Sequence, residues 1–460
     1  MVWSLICNEA GCSSGDKNGA AQSFRNVSKQ VDSFRPVTAN MNGDLGNALS
    51  QTVDIQGFSH QGGNVFDSFH QNFPDKPVIG SECCSCRTQR GEDFGDSSKP
   101  TFSSFNADCN QAQTGNQLDR VFVAGCMVWT LFDYYGEPTP YGWPMVSSSF
   151  GSIDLAGFAK PSAYWYRAWW YYRAKSNSTY SGYDVPVNPP SLVDPYASSS
   201  EENLEEGYMI HIVQSWEPIE GKTNRTIQAY TNAKMAELMV NGKSLGKVTV
   251  DWQGWAEWSG VSFSAGKITA NALDSQSQAK ASHTVETAGA PSKVVAMIDV
   301  PSEKTGTGSM LVLNGQDAGM ISAAIVDAKG QVVPSSSANV TFRIVSGPGR
   351  IIGVGNGDPS CHEPNQVPWR SAYHGLARAI IQVTEASASS NLHRKRLMQV
   401  DRDGDIHTRV VLPGDTSTAA DIVVEAAVDG LGTSTVSIPV TSDEDTHGVL
   451  AVAKRSMKKK

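Results

Sequence analysis

Five short runs of strand length punctuate the first part of the chain, at residues 2–7, 36–41, 52–57, 77–82 and 122–130. Apolar residues crowd these runs, as they do in strands buried on both faces. Between them lie stretches that read as helices, at about 20–34, 64–72 and 110–120. A last helix begins near Pro161, a residue suited to a first helical turn, and runs through Tyr164-Trp165-Tyr166-Arg167-Ala168-Trp169-Trp170. That aromatic cluster reads as packing rather than as a platform for a ligand. From 207 onward the texture changes to short alternating segments, among them Met209–Val213, Thr226–Tyr230 and Ala236–Val240. Asn241-Gly242 directly after the last of these is a strong hairpin signal.

Alternation of strand and helix over residues 1–173 predicts parallel strands joined by crossover helices. Polar and charged residues collect where those strands end, which in a (β/α)8 TIM barrel is the active-site face. Five strand candidates precede the change in texture, against eight in a closed barrel, so the expectation is an incomplete one. Pro186, Pro189, Pro190 and Pro195 mark residues 174–206 as a linker. Residues 207–289 and 292–442 then read as two antiparallel β-sandwiches, divided at Ala288-Gly289-Ala290-Pro291. Candidate strands of the second include Ser322–Asp327 and Ala338–Ile344. A polar, irregular stretch at 384–418 reads as an insertion in that sandwich, and 443–460 as a polar basic tail. Within the insertion, Asp401-Arg402-Asp403-Gly404-Asp405 lacks the spacing and closing glutamate of a calcium loop and reads as a surface turn.

Composition narrows the function. The 460 residues are 40% hydrophobic and 18% charged, an ordinary globular balance with material for about three domains. The net charge is −9, and basic residues concentrate only in Lys454–Lys460, so no basic face points to nucleic acid. No apolar run approaches the roughly 18 residues of a membrane span, and no secretory signal opens the chain. Asn26, Asn177, Asn224 and Asn339 head Asn-x-Ser/Thr triplets compatible with secretion. Of eight cysteines, Cys83, Cys84 and Cys86 crowd one strand end and Cys7 and Cys12 flank another; Cys109, Cys126 and Cys361 stand apart. Cys83-Cys84-Ser85-Cys86 is a poor match to the paired ligand motifs of a zinc site, and these cysteines read as small, buried, reduced thiols beside the strand, with no metal site.

Two glutamates carry the chemistry. Glu9 closes the run Val2-Trp3-Ser4-Leu5-Ile6-Cys7-Asn8-Glu9, and Glu82 closes Pro77-Val78-Ile79-Gly80-Ser81-Glu82. Two carboxyls facing each other across a sugar ring are the minimum equipment for cutting a glycosidic bond. An apolar strand end raises a carboxyl's pKa by desolvation, which suits Glu9 to general-acid work. Glu82 then acts as the nucleophile that forms a covalent glycosyl intermediate. Asn8 can hydrogen-bond a sugar hydroxyl, Trp129 can pack against the sugar's apolar face, and Asp133 and Glu137 follow as hydroxyl ligands. Taken singly, each is a common residue at a strand end. The order of acid, nucleophile and aromatic platform gives them force.

These residues carry a specific resemblance. Val2–Glu9 resembles the acid/base strand of glycoside hydrolase family 2, the fourth of its barrel, and Pro77–Glu82 the nucleophile strand, the seventh. Val128–Tyr141 and Ser149–Lys160 resemble the eighth strand and the loop after it, in the β-galactosidase-like branch. Tyr230–Ala233 and Leu238–Lys243 are similar to one accessory β-domain of that branch. Gly353–Pro359 with Gly375–Ala379 are similar to the next, immunoglobulin-like one. The resemblance implies Glu9 as acid/base, Glu82 as nucleophile, Asn8 and Trp129 as sugar contacts, water as final acceptor and no cofactor. It implies a carbohydrate substrate, with a homo-oligomer left open for a full-length parent. The family's Asn-Tyr after the sixth strand is replaced by Ser59-His60, and His60 can donate the corresponding hydrogen bond to the nucleophile. By this resemblance, the family's N-terminal domains and barrel strands one to three would precede Val2–Glu9 and are expected to be missing from this sequence.

A β-glucuronidase is expected to offer an Asn-x-Lys cation to its substrate's carboxylate. The matching stretch here reads Ser147-Ser148-Ser149-Phe150-Gly151, with no cation until Lys160. That points to a neutral sugar, galactose by branch, with β-mannosidase or β-glucuronidase specificity as the alternatives. Two other classes compete. One is a truncated, inactive fragment kept as a carbohydrate-binding or structural remnant. The other is an adhesion module presenting Trp252, Trp255 and Trp258, although a sandwich core also accounts for tryptophans there.

Overall fold

The computed structural model describes residues 3–8, 17–43, 45–46, 48–83, 85–90, 120–139, 141–176, 194–202, 206–250, 254–299, 310–384, 396–400, 406–410 and 420–441. Among these the chain is mostly β, with few helices, and divides into two compact units. The first comprises Met1–Val187, Leu192–Thr287 and Gly357–Cys361, and the second Asn188–Ser191, Ala288–Asn356 and His362–Lys460.

The first unit opens with strands and helices in alternation. In order they are β1 (Trp3–Asn8), α1 (Lys17–Val31), β2 (Val37–Asn40), α2 (Ala48–Thr52), β3 (Gln56–Ser59), α3 (Gly63–Asn72), β4 (Val78–Cys83) and β5 (Val123–Val128). β1 pairs with β2, β3 with β4 and β4 with β5, all parallel, and a parallel bridge from Met41 to Phe58 links β2 to β3. Strand ends carrying Asn8, Asn40, Ser59 and Cys83 therefore face the same way. α3 covers β3 with Phe66 and Phe69, whose ring centroids lie 4.3 and 5.3 Å from that of Phe58. β5 forms an edge of its described sheet and leaves Met127 and, just beyond it, Leu131 more than half exposed.

The run expected at 52–57 divides differently. Its first residue closes α2, residues 53–55 bend, and the strand begins at Gln56. Asp54 is the cause. The backbone N–H groups of Asp54 and Ile55 both donate to Val37 O, at 2.9 and 3.1 Å, which curls this segment around the start of β2. The Asp54 carboxylate accepts from Arg25 Nη2 (2.7 Å) and Val37 N (3.0 Å), with Lys29 Nζ at 3.0 Å, tying α1 to β2. Burial pushes this carboxyl up, but those cationic and backbone donors outweigh it and hold it at about 2, below its ordinary 3.8. A depressed acid stabilises the fold above its unfolded pKa and loses that contribution as pH falls through its folded value. Asp54→Asn is accordingly expected to lower the melting temperature near neutrality and to flatten its decline between about pH 4 and pH 2. Melting curves at stepped pH check this, and an unchanged acid limb counts against it.

α4 (Pro161–Ser176) buries Tyr164, Trp165 and Tyr166, so the aromatic cluster is core. The segment expected to be a linker, 174–206, is structured where it is described. α4 runs to Ser176, and Ala197–Glu201 forms β6. The local composition of Ser and Glu carries no strand signal, but β13 offers an open edge on which β6 pairs, Ser200 opposite His283. The strands that follow are β7 (Ile210–Ile212), β8 (Asn224–Thr231), β9 (Met235–Val240) and β10 (Lys243–Thr249). They continue with β11 (Trp255–Ser262), β12 (Lys267–Leu273) and β13 (Ala279–Glu286). They form sheets ordered β10-β9-β12-β13-β6 and β11-β8-β7 around one core that includes Trp216, Ile227, Leu238 and Ile268. Asn241 and Gly242 turn the β9–β10 hairpin with φ of 47° and 79°, the positive values a tight two-residue turn demands. Trp255 and Trp258 are buried, which removes them as an exposed platform; Trp252 lies outside the described residues.

The second unit begins with β14 (Lys293–Ile298), β15 (Leu311–Val312), β16 (Ala318–Val326), β17 (Asn339–Ser346), β18 (Gly349–Gly355) and β19 (Trp369–Ser371). It continues with β20 (Leu376–Val383), β21 (Arg396–Val400), β22 (Ile406–Val410), β23 (Ile422–Val428), β24 (Gly432–Ile438) and β25 (Val440–Thr441). Sheets β14-β16-β20-β18 and β19-β17-β23-β24 close over a shared core containing Ile321, Phe342, Ile381 and Val424. Within the stretch expected to be irregular, β21 and β22 pair antiparallel. The Asp401–Asp405 turn and the tail at 443–460 lie outside the described residues.

Cys83 and Cys126 are joined by a disulfide that bridges the neighbouring strands β4 and β5, and Cys86 is also disulfide-bonded. The expectation of reduced thiols is corrected here. Strand pairing brings Cys83 and Cys126 to a Cα separation of 6.3 Å across a sequence separation of 43, which spacing alone does not reveal.

Candidate active site

Glu82 stands at the end of β4 with a side chain 12% exposed. His60 Nε2 donates to its Oε1 at 3.1 Å, and Asn40 Nδ2 donates to its Oε2. The residues that converge come from the ends of β2, β3 and β4, three successive parallel strands. His60 takes a left-handed φ of 49° directly after β3 while its N–H donates to Glu82 O at 3.0 Å, which turns the ring back over the carboxylate. Ser85 Oγ stands 3.4 Å from the same ring nitrogen.

Close approach of β2, β3 and β4 depends on Gly57. A Cβ there would lie 2.1 Å from Ala39 O and 2.9 Å from Ser81 Oγ, so no other residue fits without moving a backbone. The β3–β4 register shifts between Phe58, opposite Gly80, and Ser59, opposite Glu82, leaving Ser81 as an extra residue. Such a bulge re-aims the side chains beside it. Both Ser81 and Glu82 consequently reach Asn40.

Trp129 follows β5, with its N–H donating to Cys83 O at 2.7 Å, and its ring is 36% exposed. Its Nε1 donates to Tyr134 OH at 3.1 Å, and Tyr134 OH donates to Glu137 Oε2. Burial and the Glu137 carboxylate push the Tyr134 hydroxyl up to about 12, with the charge of Glu82 adding to the effect. Tyr134 thus remains a donor at any working pH. Glu137 was expected to bind a sugar hydroxyl; here its carboxylate holds the tyrosine that braces Trp129.

Asp133 is placed differently from its expectation as a hydroxyl ligand. It is 6% exposed; Lys160 Nζ lies 2.7 Å from Oδ2, and Gly151 N donates to Oδ1 at 2.8 Å. Lys160 also donates to Thr88 O (2.7 Å) and Ser149 O (3.2 Å). Asp133 therefore fixes the loop after β5 from within. Arg90 and Asp154, 2.8 Å apart and almost wholly buried, form a second such pair. Glu9 lies outside the described residues, but β1 ends at Asn8, whose backbone is in register with Asn40.

Among the described residues, Asp194, His211 and His283 group as metal ligands do, with one ligand atom of each within 4.8 Å of the others. The tautomer of His283 argues against a metal. His283 Nδ1 accepts the Ile212 N–H at 3.2 Å, so its proton sits on Nε2, which donates to Asp194 Oδ2 at 2.9 Å. The lone pair a metal needs is absent. Burial pushes His211 down to about 3, and its neutral ring stacks on Tyr164 at 3.6 Å. The group clamps Asp194 against β7 and β13.

Residues 306–395 match the glycoside hydrolase family 2 C-terminal domain 5, and residues 222–279 match a domain of unknown function, DUF4982. The β-galactosidase BoGH2A of Bacteroides ovatus is 30% identical over 379 residues. That match takes in 77% of this chain and 39% of the relative, so the chain spans well under half the length of its curated relative. A solved glycosyl hydrolase family 2 member from Bacteroides cellulosilyticus shares the fold, with 20% identity and a TM-score of 0.65 over 95% of this chain and 48% of that one. A family 2 β-glucuronidase does so with 18% identity and a TM-score of 0.59 over 94% and 38%.

Proposed function

Because the chain belongs to glycoside hydrolase family 2, we propose that it carries the catalytic carboxylates of a retaining β-glycosidase acting on terminal non-reducing β-D-galactosides. A Glu82 oxygen attacks the anomeric carbon while the bond to the aglycone oxygen breaks and Glu9 protonates that oxygen. Water, deprotonated by Glu9, then attacks the same carbon, and the electron pair of the sugar–Glu82 bond returns to the carboxylate. The observation that carries this reading is the convergence of Asn40 and His60 on Glu82, two donors aimed at one carboxylate beside a half-exposed tryptophan. Register supports the partner role of Glu9. Asn8, the residue before it, pairs with Asn40, whose side chain touches Glu82. Asn8 contacts a sugar hydroxyl and Trp129 packs under the ring. In this reading β1 to β5 are strands four to eight of a (β/α)8 barrel, and the sheets after them are accessory β-sandwiches, the last immunoglobulin-like.

A neutral sugar is favoured by the state of Lys160. It is fully buried and its ammonium is occupied by Asp133, Thr88 and Ser149, so it cannot meet a substrate carboxylate. Chromogenic β-D-galactoside, β-D-mannoside and β-D-glucuronide distinguish the specificities, and the galactoside is expected to turn over fastest. Preference for the glucuronide would overturn the assignment. The position of β5 at the edge of its sheet among the described residues favours a second reading, in which this chain alone is an inactive fragment of such an enzyme. Absence of turnover on every substrate supports it.

A further inference from the structure

We propose that Asn40 is the positioning residue of the Glu82 carboxylate and that it acts chiefly on the second half of the double displacement. This rests on the reading of Glu82 as nucleophile. Asn40 ends β2, and its amide has an accepting end and a donating end. Ser81 Oγ donates to Asn40 Oδ1 at 2.6 Å, which fixes the amide with Nδ2 toward Glu82 Oε2. The bulge at Ser81 makes this geometry, because consecutive residues of an unbroken strand point to opposite faces. Gly57 leaves room for the serine hydroxyl. One asparagine thus reads the orientation of β4 through two neighbouring side chains.

The timing follows from charge. A hydrogen bond to a carboxylate is about twice as strong as one to a neutral oxygen. Glu82 surrenders its charge as its oxygen bonds to the anomeric carbon and regains it as water displaces that bond. The Asn40 donor therefore resists the first step slightly and assists the second. Among the described residues His60 is the donor that remains on Glu82 when Asn40 is removed, so the carboxylate leaves the sugar more slowly and the glycosyl-enzyme accumulates.

The test uses the full chain and an aryl β-D-galactoside with a good leaving group. Asn40→Ala is expected to lower kcat about tenfold, the worth of one such bond, while kcat/KM changes less than about threefold. KM then falls, and a burst of released phenol precedes the steady state. Ser81→Ala is expected to lower kcat a few-fold by freeing the amide, yet to add nothing in the Asn40→Ala background. A loosened fold would instead depress kcat and kcat/KM together and leave the two substitutions additive. Should Asn40→Ala fold poorly, Ser81→Ala carries the test, since its side chain lies partly exposed at the same contact. Unchanged or proportionally reduced constants in Asn40→Ala overturn the proposal alone, provided that turnover still requires Glu82. Turnover that is absent, or indifferent to Glu82→Gln, overturns the functional reading and this proposal with it.

Discussion

Replacement of Glu82 by Gln is expected to reduce hydrolysis of a chromogenic β-D-galactoside at least about a thousandfold while leaving the fold in place. Glutamine has the same shape, and its amide oxygen can still accept from one of the two donors that Glu82 satisfies. It cannot form the glycosyl ester, because a neutral amide oxygen is a poor nucleophile. Its NH2 end also faces the remaining donor, Asn40 or His60, a mismatch that affects the site more than the fold. A second variant sharpens the case. In Glu82→Ala the vacated space admits a small anion such as azide, which attacks the anomeric carbon directly from the side the carboxylate occupied. A single displacement inverts that carbon, so the product is an α-galactosyl azide, and proton NMR distinguishes it from the β product of the parent. Hydrolysis that survives Glu82→Gln, or a β-configured azide, removes Glu82 from the role of nucleophile.

Lys160→Met is expected to destabilise the chain by about 3–5 kcal/mol, the cost of stranding one member of a buried ion pair. Among the described residues Asp133 is left with the Gly151 N–H as its carboxylate's partner, in a site where both charged side chains are at most 2% exposed. The pH dependence gives the prediction a sign. Burial pushes Asp133 up to about 6 in the folded protein, above its ordinary 3.8, despite the opposing pull of Lys160. Between those values the folded state binds the proton more tightly than the unfolded chain does. The contribution of Asp133 to stability is therefore complete below its unfolded pKa and declines as pH rises through about 6. Without the ammonium to oppose burial, Lys160→Met should steepen that decline. Asp133→Asn combined with Lys160→Met should recover part of the loss, because no lone charge remains. Urea unfolding of the three chains from pH 4 to 7 measures these differences. Equal stability of Lys160→Met and the parent at pH 7 would show that the pair contributes nothing.

Local signals were legible in proportion to how little they depended on distant partners. Asn241-Gly242 announced its hairpin because only positive φ closes a two-residue turn, and both residues adopt it. Pro77 to Glu82 announced a buried strand through its apolar run, and the strand is present as Val78–Cys83. Residues 197–201 gave no such signal, since their strand exists by pairing with β13, more than eighty residues away. Asn40 and Tyr134 were missed for the same reason. Their chemistry lies in which side chain stands beside them, and an asparagine or tyrosine at a strand end is unremarkable until its partner is known. Asp133 was misread in the opposite direction, because a carboxylate after a strand looks available until Lys160, 27 residues on, is found against it.

By itself the sequence determined the alternation of strands and helices, the β texture that follows, and the presence of a carboxyl at the end of an apolar strand. Those features follow from periodicity and turn chemistry, which act over a few residues. Tertiary structure alone decided which polar groups face Glu82, which acids are spent in buried ion pairs and which cysteines are joined. Those outcomes depend on register between strands distant in sequence, where a shift of one residue sends a side chain to the opposite face.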